Sequence, residues 1–255
     1  MLLAFDIGNT NTSIGLYNDA DLVASWRVGT DPNRTEDEYA ALVHSLMARP
    51  GLSLDDVNGF CMSSVVPATI RPIKLFIEKH FNIKKSVILG PDVNLGIIVH
   101  YEPPSDVGPD RLANAIAAHE KYGSPAIIVD FGTATTIDAI AENGDYLGGA
   151  IMPGVEISLQ ALFSKAARLQ RVEFFPPGRA IGSSTAESLR SGVMLGLASQ
   201  VDGMVARFAA EIEGKPRVIA TGGLADAIAP QCKSIEIVDQ LLTLDGLRIV
   251  FDRNS

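Results

Sequence analysis

Asp6-Ile7-Gly8-Asn9-Thr10-Asn11-Thr12 follows the apolar run Leu2-Leu3-Ala4-Phe5. A near copy, Asp130-Phe131-Gly132-Thr133-Ala134-Thr135-Thr136, follows Ala126-Ile127-Ile128-Val129. Each phrase runs on into another strand-like stretch, Ser13 to Tyr17 and Ile137 to Ala141. The pattern reads as strand, tight glycine turn, strand, with a carboxylate ending the first strand and hydroxyls around the turn. One copy is an ordinary polar turn, because Asx and hydroxyl side chains bond their own backbone in such places. Two copies suggest two related half-domains facing each other, an arrangement that suits a polyphosphate and a metal ion. Glycine lets a ligand approach the backbone closely. A strand-end carboxylate suits magnesium, which prefers oxygen ligands and keeps several waters.

Around the first phrase, strands at 2–7, 11–17 and 21–28 form a meander, with Asn18-Asp19-Ala20-Asp21 as turn. Thr35 and Glu38 have capping-box spacing and open a helix with Tyr39, Leu42, Val43, Leu46 and Met47 on its apolar face. Pro50-Gly51 should end it. A strand at 57–62, a helix at 67–81 and a strand at 87–89 follow. Gly90-Pro91, Gly96, Pro103-Pro104 and Gly108-Pro109 then punctuate a loop around the strand-like Ile97-Ile98-Val99. Long loops in compact domains are often functional. An amphipathic helix at 110–122 leads into the second half. There, strands at 126–130, 134–140 and 145–149 repeat the meander, with Asn143-Gly144 as a hairpin turn. Helices at 154–166 and 186–212, a strand at 217–220, a helix at 223–229, a strand at 235–238 and a segment at 241–252 complete the chain.

The boundary near Tyr122-Gly123-Ser124-Pro125 divides half-domains 1–122 and 123–255. The fold class is α/β, two tandem halves with mixed sheets. This plan is similar to the actin, hexokinase and Hsp70 superfamily, whose ribonuclease-H-like halves hold a nucleotide in the cleft between them. The resemblance extends along the whole chain.

At 255 residues with 47% apolar composition, the chain can bury a sizeable core. Net charge is −9 and Lys and Arg form no run, which argues against a nucleic-acid or anionic-membrane surface. An acidic protein still binds phosphate through backbone N–H groups and a cation. Cys61 and Cys232 read as reduced core thiols, and no Cys/His spacing resembles a zinc site. The chain enters a strand at once, without a basic leader, and no apolar run is long enough to span a bilayer. A cytoplasmic protein is the simplest expectation.

Gly108-Pro109-Asp110-Arg111 is the second constellation. Pro109 suits a first helical turn, which places Asp110 and Arg111 at a helix N-terminus. Asp110 is a candidate general base for an attacking hydroxyl, and Arg111 a bidentate partner for a carboxylate. Helix-start preference alone explains the same residues. Asn114, one turn later, and the two hairpins make the set distinctive. No Gly-x-x-x-x-Gly-Lys-Ser/Thr pattern exists, so a P-loop is excluded. No Lys follows either turn, which leaves phosphate neutralisation to metal ions and backbone donors.

These motifs, followed in order by Gly148-Gly149-Ala150-Ile151-Met152-Pro153-Gly154 and Thr221-Gly222-Gly223, closely resemble those of type III pantothenate kinases. Leu242-Thr243-Leu244-Asp245-Gly246-Leu247 is similar to that family's C-terminal signature, with Asp245 where Glu is commoner. The resemblance implies that Asp6, Ile7, Gly8, Asn9, Thr10, Asn11, Thr12 and Ser13 bind ATP phosphates, with Asp6 near magnesium. It implies that Asp110 accepts the proton of the pantothenate hydroxyl and that Gly108, Pro109, Asp110 and Arg111 contact the vitamin, together with Tyr101 and Thr185. Asp130 should hold a monovalent cation, potassium or ammonium. Thr133 should touch the nucleotide, and Gly222 and Gly223 its adenosine. A homodimer with the vitamin site near the interface is also implied.

His44, His80, His100 and His119 have no partners in a nucleophile–base arrangement and read as structural or solvent-facing. His100 stands out only because it precedes Tyr101. Trp26 reads as packing on the third strand. Leu189, Val193, Leu197, Val201, Val205 and Phe208 read as a buried helix face. Two other functions fit the fold: a sugar kinase or polyphosphate hydrolase, and a nucleotide-binding regulator without catalysis. Gly108-Pro109-Asp110-Arg111 with Asn114 argues against the first. Intact Asp6, Asp110 and Asp130 argue against the second.

Overall fold

The computed structural model describes residues 1–48, 51–90, 92–166 and 175–254. Pro50 as a helix stop and Pro91 as a loop residue lie outside them. The chain divides into two compact units: residues 1–96, 102–117 and 242–255, and residues 97–101 and 118–241.

In the first unit, β1 (Leu2–Ile7), β2 (Asn11–Asn18) and β3 (Asp21–Gly29) form the meander. The helix α1 (Glu36–Ala48) follows. The Thr35 N–H bonds the Glu38 carboxylate at 2.8 Å, and the Glu38 N–H bonds the Thr35 hydroxyl at 3.4 Å, so the capping box forms. Then come β4 (Gly59–Ser64), α2 (Pro67–His80), β5 (Lys85–Ile88) and α3 (Pro109–Tyr122), the last beginning on its proline. Sheet order is β3-β2-β1-β4-β5. The first two pairings are antiparallel, and β1 pairs with β4, and β4 with β5, in parallel. Side chains alternate across the sheet. Leu3, Phe5, Ile7, Ile14 and Leu16 turn to one face and pack with Tyr39, Val43 and Met47 of α1 and Ile73 and Phe76 of α2. Trp26 joins this cluster's edge.

The second unit repeats the order with β6 (Ala126–Phe131), β7 (Ala134–Ile140) and β8 (Tyr146–Pro153). Then follow α4 (Val155–Lys165), α5 (Thr185–Glu211), β9 (Arg217–Thr221), α6 (Ala225–Ile228) and β10 (Ile237–Val238). Sheet order is β10-β9-β6-β7-β8, which is the first sheet's order read in reverse. Ile127, Val129, Phe131 and Ile137 pack with Val201 and Val205 of α5, confirming that helix's apolar face.

The last helix, α7 (Leu242–Arg253), belongs to the first unit, so one cut at 122/123 does not separate the two units. The physical reason is apolar burial on the sheet face opposite α1 and α2. A Cβ on Gly15 would touch Leu244, one on Gly59 would overlap the Phe251 ring, and the Tyr17 hydroxyl bonds Asp245 at 2.9 Å. The strand-like 97–99 stretch forms a single parallel bridge, Val99 to Tyr146, and belongs to the second unit.

Candidate active site

Register builds the first cluster. Asp6 lies opposite Ser13 on β2 and Ser63 on β4, and directly paired residues share a face. A row Ser13–Asp6–Ser63 therefore crosses three strands at their ends. The Ser63 hydroxyl donates to Asp6 Oδ1 at 2.6 Å. Burial pushes the Asp6 carboxyl up to about 7; the Ser63 bond opposes the shift and the charge of Asp110 adds to it. The field of Asp110 thus reaches Asp6 within one unit.

Gly8 closes the turn. Its N–H bonds the Asn11 carbonyl at 3.0 Å, and a Cβ there would sit 3.1 Å from that oxygen. Asn9 and Thr10 are exposed at the tip. Ile7 and Thr12 face inward, each about 1% exposed. The Thr12 hydroxyl pairs with Thr30 at 2.9 Å, and Thr30 donates to the Gly8 carbonyl at 2.7 Å. Ile7 and Thr12 thus shape the loop with their side chains and leave Asn9, Thr10, Asn11 and Ser13 as its accessible polar groups.

Asp110 sits in the first turn of α3, and its Oδ1 accepts from the Arg111 N–H at 2.8 Å. A Cβ on Gly108 would lie 2.5 Å from that same Oδ1, so glycine leaves the carboxylate its place. Arg111 is buried, at 6% exposure, deeper than a surface carboxylate clamp. Asn114 is wholly buried, and its Oδ1 accepts from the Thr243 hydroxyl at 2.7 Å. Through that oxygen it braces α3 against α7.

The second cluster mirrors the first. Asp130 lies opposite Thr136 on β7 and Thr221 on β9. Gly222 has φ +93°, and a Cβ there would lie 2.4 Å from Asp130 Oδ1 and 2.7 Å from the Phe131 backbone. Gly154 comes as close to the Thr133 and Gly132 carbonyls. Glycine at 154 and 222 therefore lets neighbouring backbone pack closely around this turn. Thr133 and Gly223 are exposed on this loop system. Tyr101 lies against Gly148 and the Tyr146 ring, and Thr185 is the exposed first residue of α5.

Among the described residues no group of three His, Cys, Asp or Glu side chains forms a ready metal cage. Magnesium is commonly bound by one or two carboxylates plus substrate phosphates and water. Asp6, whose ionisation is resisted by burial and by Asp110, suits a cation that offsets both effects. Asp130 is the corresponding strand-end carboxylate of the second unit and could hold a cation there.

A family model described as type III pantothenate kinase matches residues 2–207. This chain belongs to the type III pantothenate kinase family. Two relatives of that name, from Moorella thermoacetica and Halalkalibacterium halodurans, are 46% and 45% identical, with the whole of each chain covered. Solved structures show the fold. A protein described as a putative Baf family transcriptional activator from Campylobacter jejuni superposes with TM-score 0.63 at 20% identity, covering 99% of this chain and 98% of that one. A putative N-acetylglucosamine kinase from Porphyromonas gingivalis gives 0.54 at 11%, covering 100% and 99%. The duplicated α/β plan is thus that of the sugar-kinase-like fold.

Sequence reasoning missed Ser63. Ser63 is the next-to-last residue of β4, and only the long-range parallel pairing with β1 sets it level with Asp6. The histidines fit their bland reading: His44 is exposed, His80 bonds Asp37 at 3.3 Å and His119 bonds Ser124 at 2.8 Å. Burial raises both thiols, Cys232 to about 12, which keeps them protonated.

Asp6 carries a pH prediction. Its folded carboxyl is raised from an ordinary value of 3.8 to about 7. The folded state is therefore favoured while the group is protonated, and that contribution fades as pH rises through about 7. In EDTA, the unfolding free energy of the wild type should fall more between pH 5.5 and 8 than that of Asp6→Asn, by about 2 kcal/mol. Parallel pH profiles for the two proteins contradict the assignment.

Proposed function

We propose that this chain transfers the terminal phosphoryl group of ATP to the 4′-hydroxyl of pantothenate, giving 4′-phosphopantothenate, the first step toward coenzyme A. The observation that carries this reading is Asp110. Its carboxylate stands at the N-terminus of α3 in the space that Gly108 leaves, in a chain of the pantothenate kinase family.

Phosphoryl transfer depends on positioning and charge neutralisation more than on covalent participation by the protein. Asp110 accepts the hydroxyl proton as that oxygen attacks the phosphorus. Gly108, Pro109 and Arg111 bind pantothenate with Tyr101 and Thr185. The turn from Asp6 to Ser13 holds the phosphates, with Thr133, Gly222 and Gly223 serving the nucleotide. Asp6 would hold magnesium, which neutralises phosphate oxygens when bound. Asp130 would hold potassium or ammonium. Exposed Leu147 and Ile151 on β8, and Ile157 and Leu162 on α4, support a homodimer. No helix among the described residues is long and apolar enough to cross a membrane. We assign the enzyme to the cytoplasm, where ATP is made and used.

An acceptor panel tests the substrate. Pantothenate, N-acetylglucosamine and glucose are offered with ATP, and products are weighed by mass spectrometry. Phosphate on pantothenate alone is the expected result; phosphate on a sugar instead overturns it.

The cation role has its own test. Asp130→Ala should abolish the stimulation of turnover by potassium or ammonium over sodium. Stimulation that persists in the variant would place the cation on other residues.

A further inference from the structure

The chain leaves the first unit after Gly96, contributes residues 97–101 to the second, and returns to the first at Glu102. This short strap ends in Tyr101. It is held to the start of β8 by two backbone bonds: the Tyr146 N–H to the Ile98 carbonyl at 2.9 Å and the His100 N–H to the Tyr146 carbonyl at 2.8 Å. A single bridge is a weak hold, because a strand register needs neighbouring pairs to fix it.

Asp145 supplies what the bridge lacks. One carboxylate oxygen accepts the Ile98 N–H at 3.0 Å, and the other faces His100 Nε2 at 3.1 Å. The same carboxylate takes the Asn143 amide at 2.8 Å, and the Asp145 N–H returns a bond to Asn143 Oδ1 at 3.1 Å. The Asn143-Gly144 turn, with Gly144 at φ +87° and its N–H on the Ala141 carbonyl at 2.9 Å, fixes where Asp145 points. The Asp145 side chain is 11% exposed, and its bond with His100 is the largest of the effects that hold its carboxyl below the usual carboxylate range.

A second hold acts on the ring. The Tyr146 hydroxyl donates to the fully buried Asp138 at 2.7 Å, and Thr136 adds a bond at 3.3 Å. Tyr146 is thereby fixed as a platform, and the Tyr101 ring lies on it with centroids 6.5 Å apart. Gly148, at φ +128°, lies beside Tyr101: a Cβ there would be in ordinary contact with the ring at 3.8 Å.

We infer that Asp145 is a positioning residue for substrate: by gripping Ile98 and His100 it sets the register of the 97–101 strap and so places Tyr101 against pantothenate. This rests on the reading that Tyr101 contacts the vitamin. Asp145 and His100 touch no reacting atom. Their loss acts on vitamin binding and leaves the chemistry of Asp110 alone. The strap is short, so a slip of one residue turns Tyr101 to the opposite face.

The experiment compares the full-length enzyme with Asp145→Ala, Asp145→Asn, His100→Ala and Tyr101→Ala. KM for pantothenate, KM for ATP and kcat are measured, with amide hydrogen exchange at Ile98. Asp145→Ala should raise the pantothenate KM about tenfold or more, since displacing a contact by an ångström is costly, with ATP KM and kcat changed less than about threefold. The Ile98 amide should exchange faster. Asp145→Asn keeps an oxygen for that amide and should restore most of the affinity. His100→Ala removes only the partly exposed arm of the grip and keeps the test valid if Asp145→Ala does not fold. An unchanged pantothenate KM beside faster Ile98 exchange overturns the inference, as does an equal rise in both KM values. If Tyr101→Ala leaves the pantothenate KM unchanged, the reading beneath it falls as well. If Tyr101→Ala raises it while the Asp145 and His100 variants do not, only the positioning role falls.

Discussion

Asp110→Asn lowers kcat by about 10²–10⁴-fold, the usual worth of a general base, while nucleotide affinity stays within a few-fold of wild type. The amide is close to isosteric with the carboxylate, and its oxygen can still accept the Arg111 N–H now bonded at 2.8 Å. The helix start is therefore preserved, and what is lost is an oxygen able to take a proton. The substitution also removes a negative charge that raises the Asp6 carboxyl. Asp6 should then ionise more readily, so magnesium–nucleotide binding should tighten slightly if it changes at all. Steady-state kinetics with a nucleotide-binding titration check both parts. A kcat within threefold of wild type removes the general-base role.

Gly246→Ala should be the most destabilising single-methyl change in α7. The added Cβ would lie 2.0 Å from the Ala113 carbonyl oxygen and 2.5 Å from its carbon. Both are backbone atoms of α3, so no rotamer change relieves the overlap, and the helices must separate. Forced separation of packed elements costs about 1–3 kcal/mol or more. The damage reaches function, because Ala113 is one turn beyond Asp110 and the Asn114–Thr243 bond is on the same contact. We expect the melting temperature to fall by several degrees and kcat to fall with it. Gly203→Ala on α5 is the control: nothing lies within 4 Å of its added Cβ, so helix propensity alone should leave it neutral or slightly stabilising. Equal melting temperatures for Gly246→Ala and wild type would show that α7 packs on α3 less closely than described.

The duplicated hairpin made the fold legible. A period-two pattern, a glycine and a carboxylate recur together, and because strand register is set by that pattern, the two sheets come out in the same order. Long-range consequences were not legible. Nothing local in Leu242 to Arg253 says that this helix returns to the first unit; that follows from glycines at 15 and 59 leaving room for Leu244 and Phe251. Ser63 was invisible as a partner of Asp6 until parallel pairing set the two side by side. The strap residue His100 looked bland for the same reason, since Asp145 meets it only through the added strand. At the candidate site, residue types announced Asp6, Asp110 and Asp130, whereas the inward turn of Ile7 and Thr12 and the burial of Arg111 and Asn114 depended on packing.

Pantothenate kinase activity of this chain should depend on a monovalent cation. The most direct measurement is ADP release by the purified chain with ATP, magnesium and pantothenate, first in potassium and then in sodium alone. ADP release is expected only when pantothenate is present, and it should fall sharply when potassium is withdrawn. No pantothenate-dependent release in either salt from folded protein would contradict it.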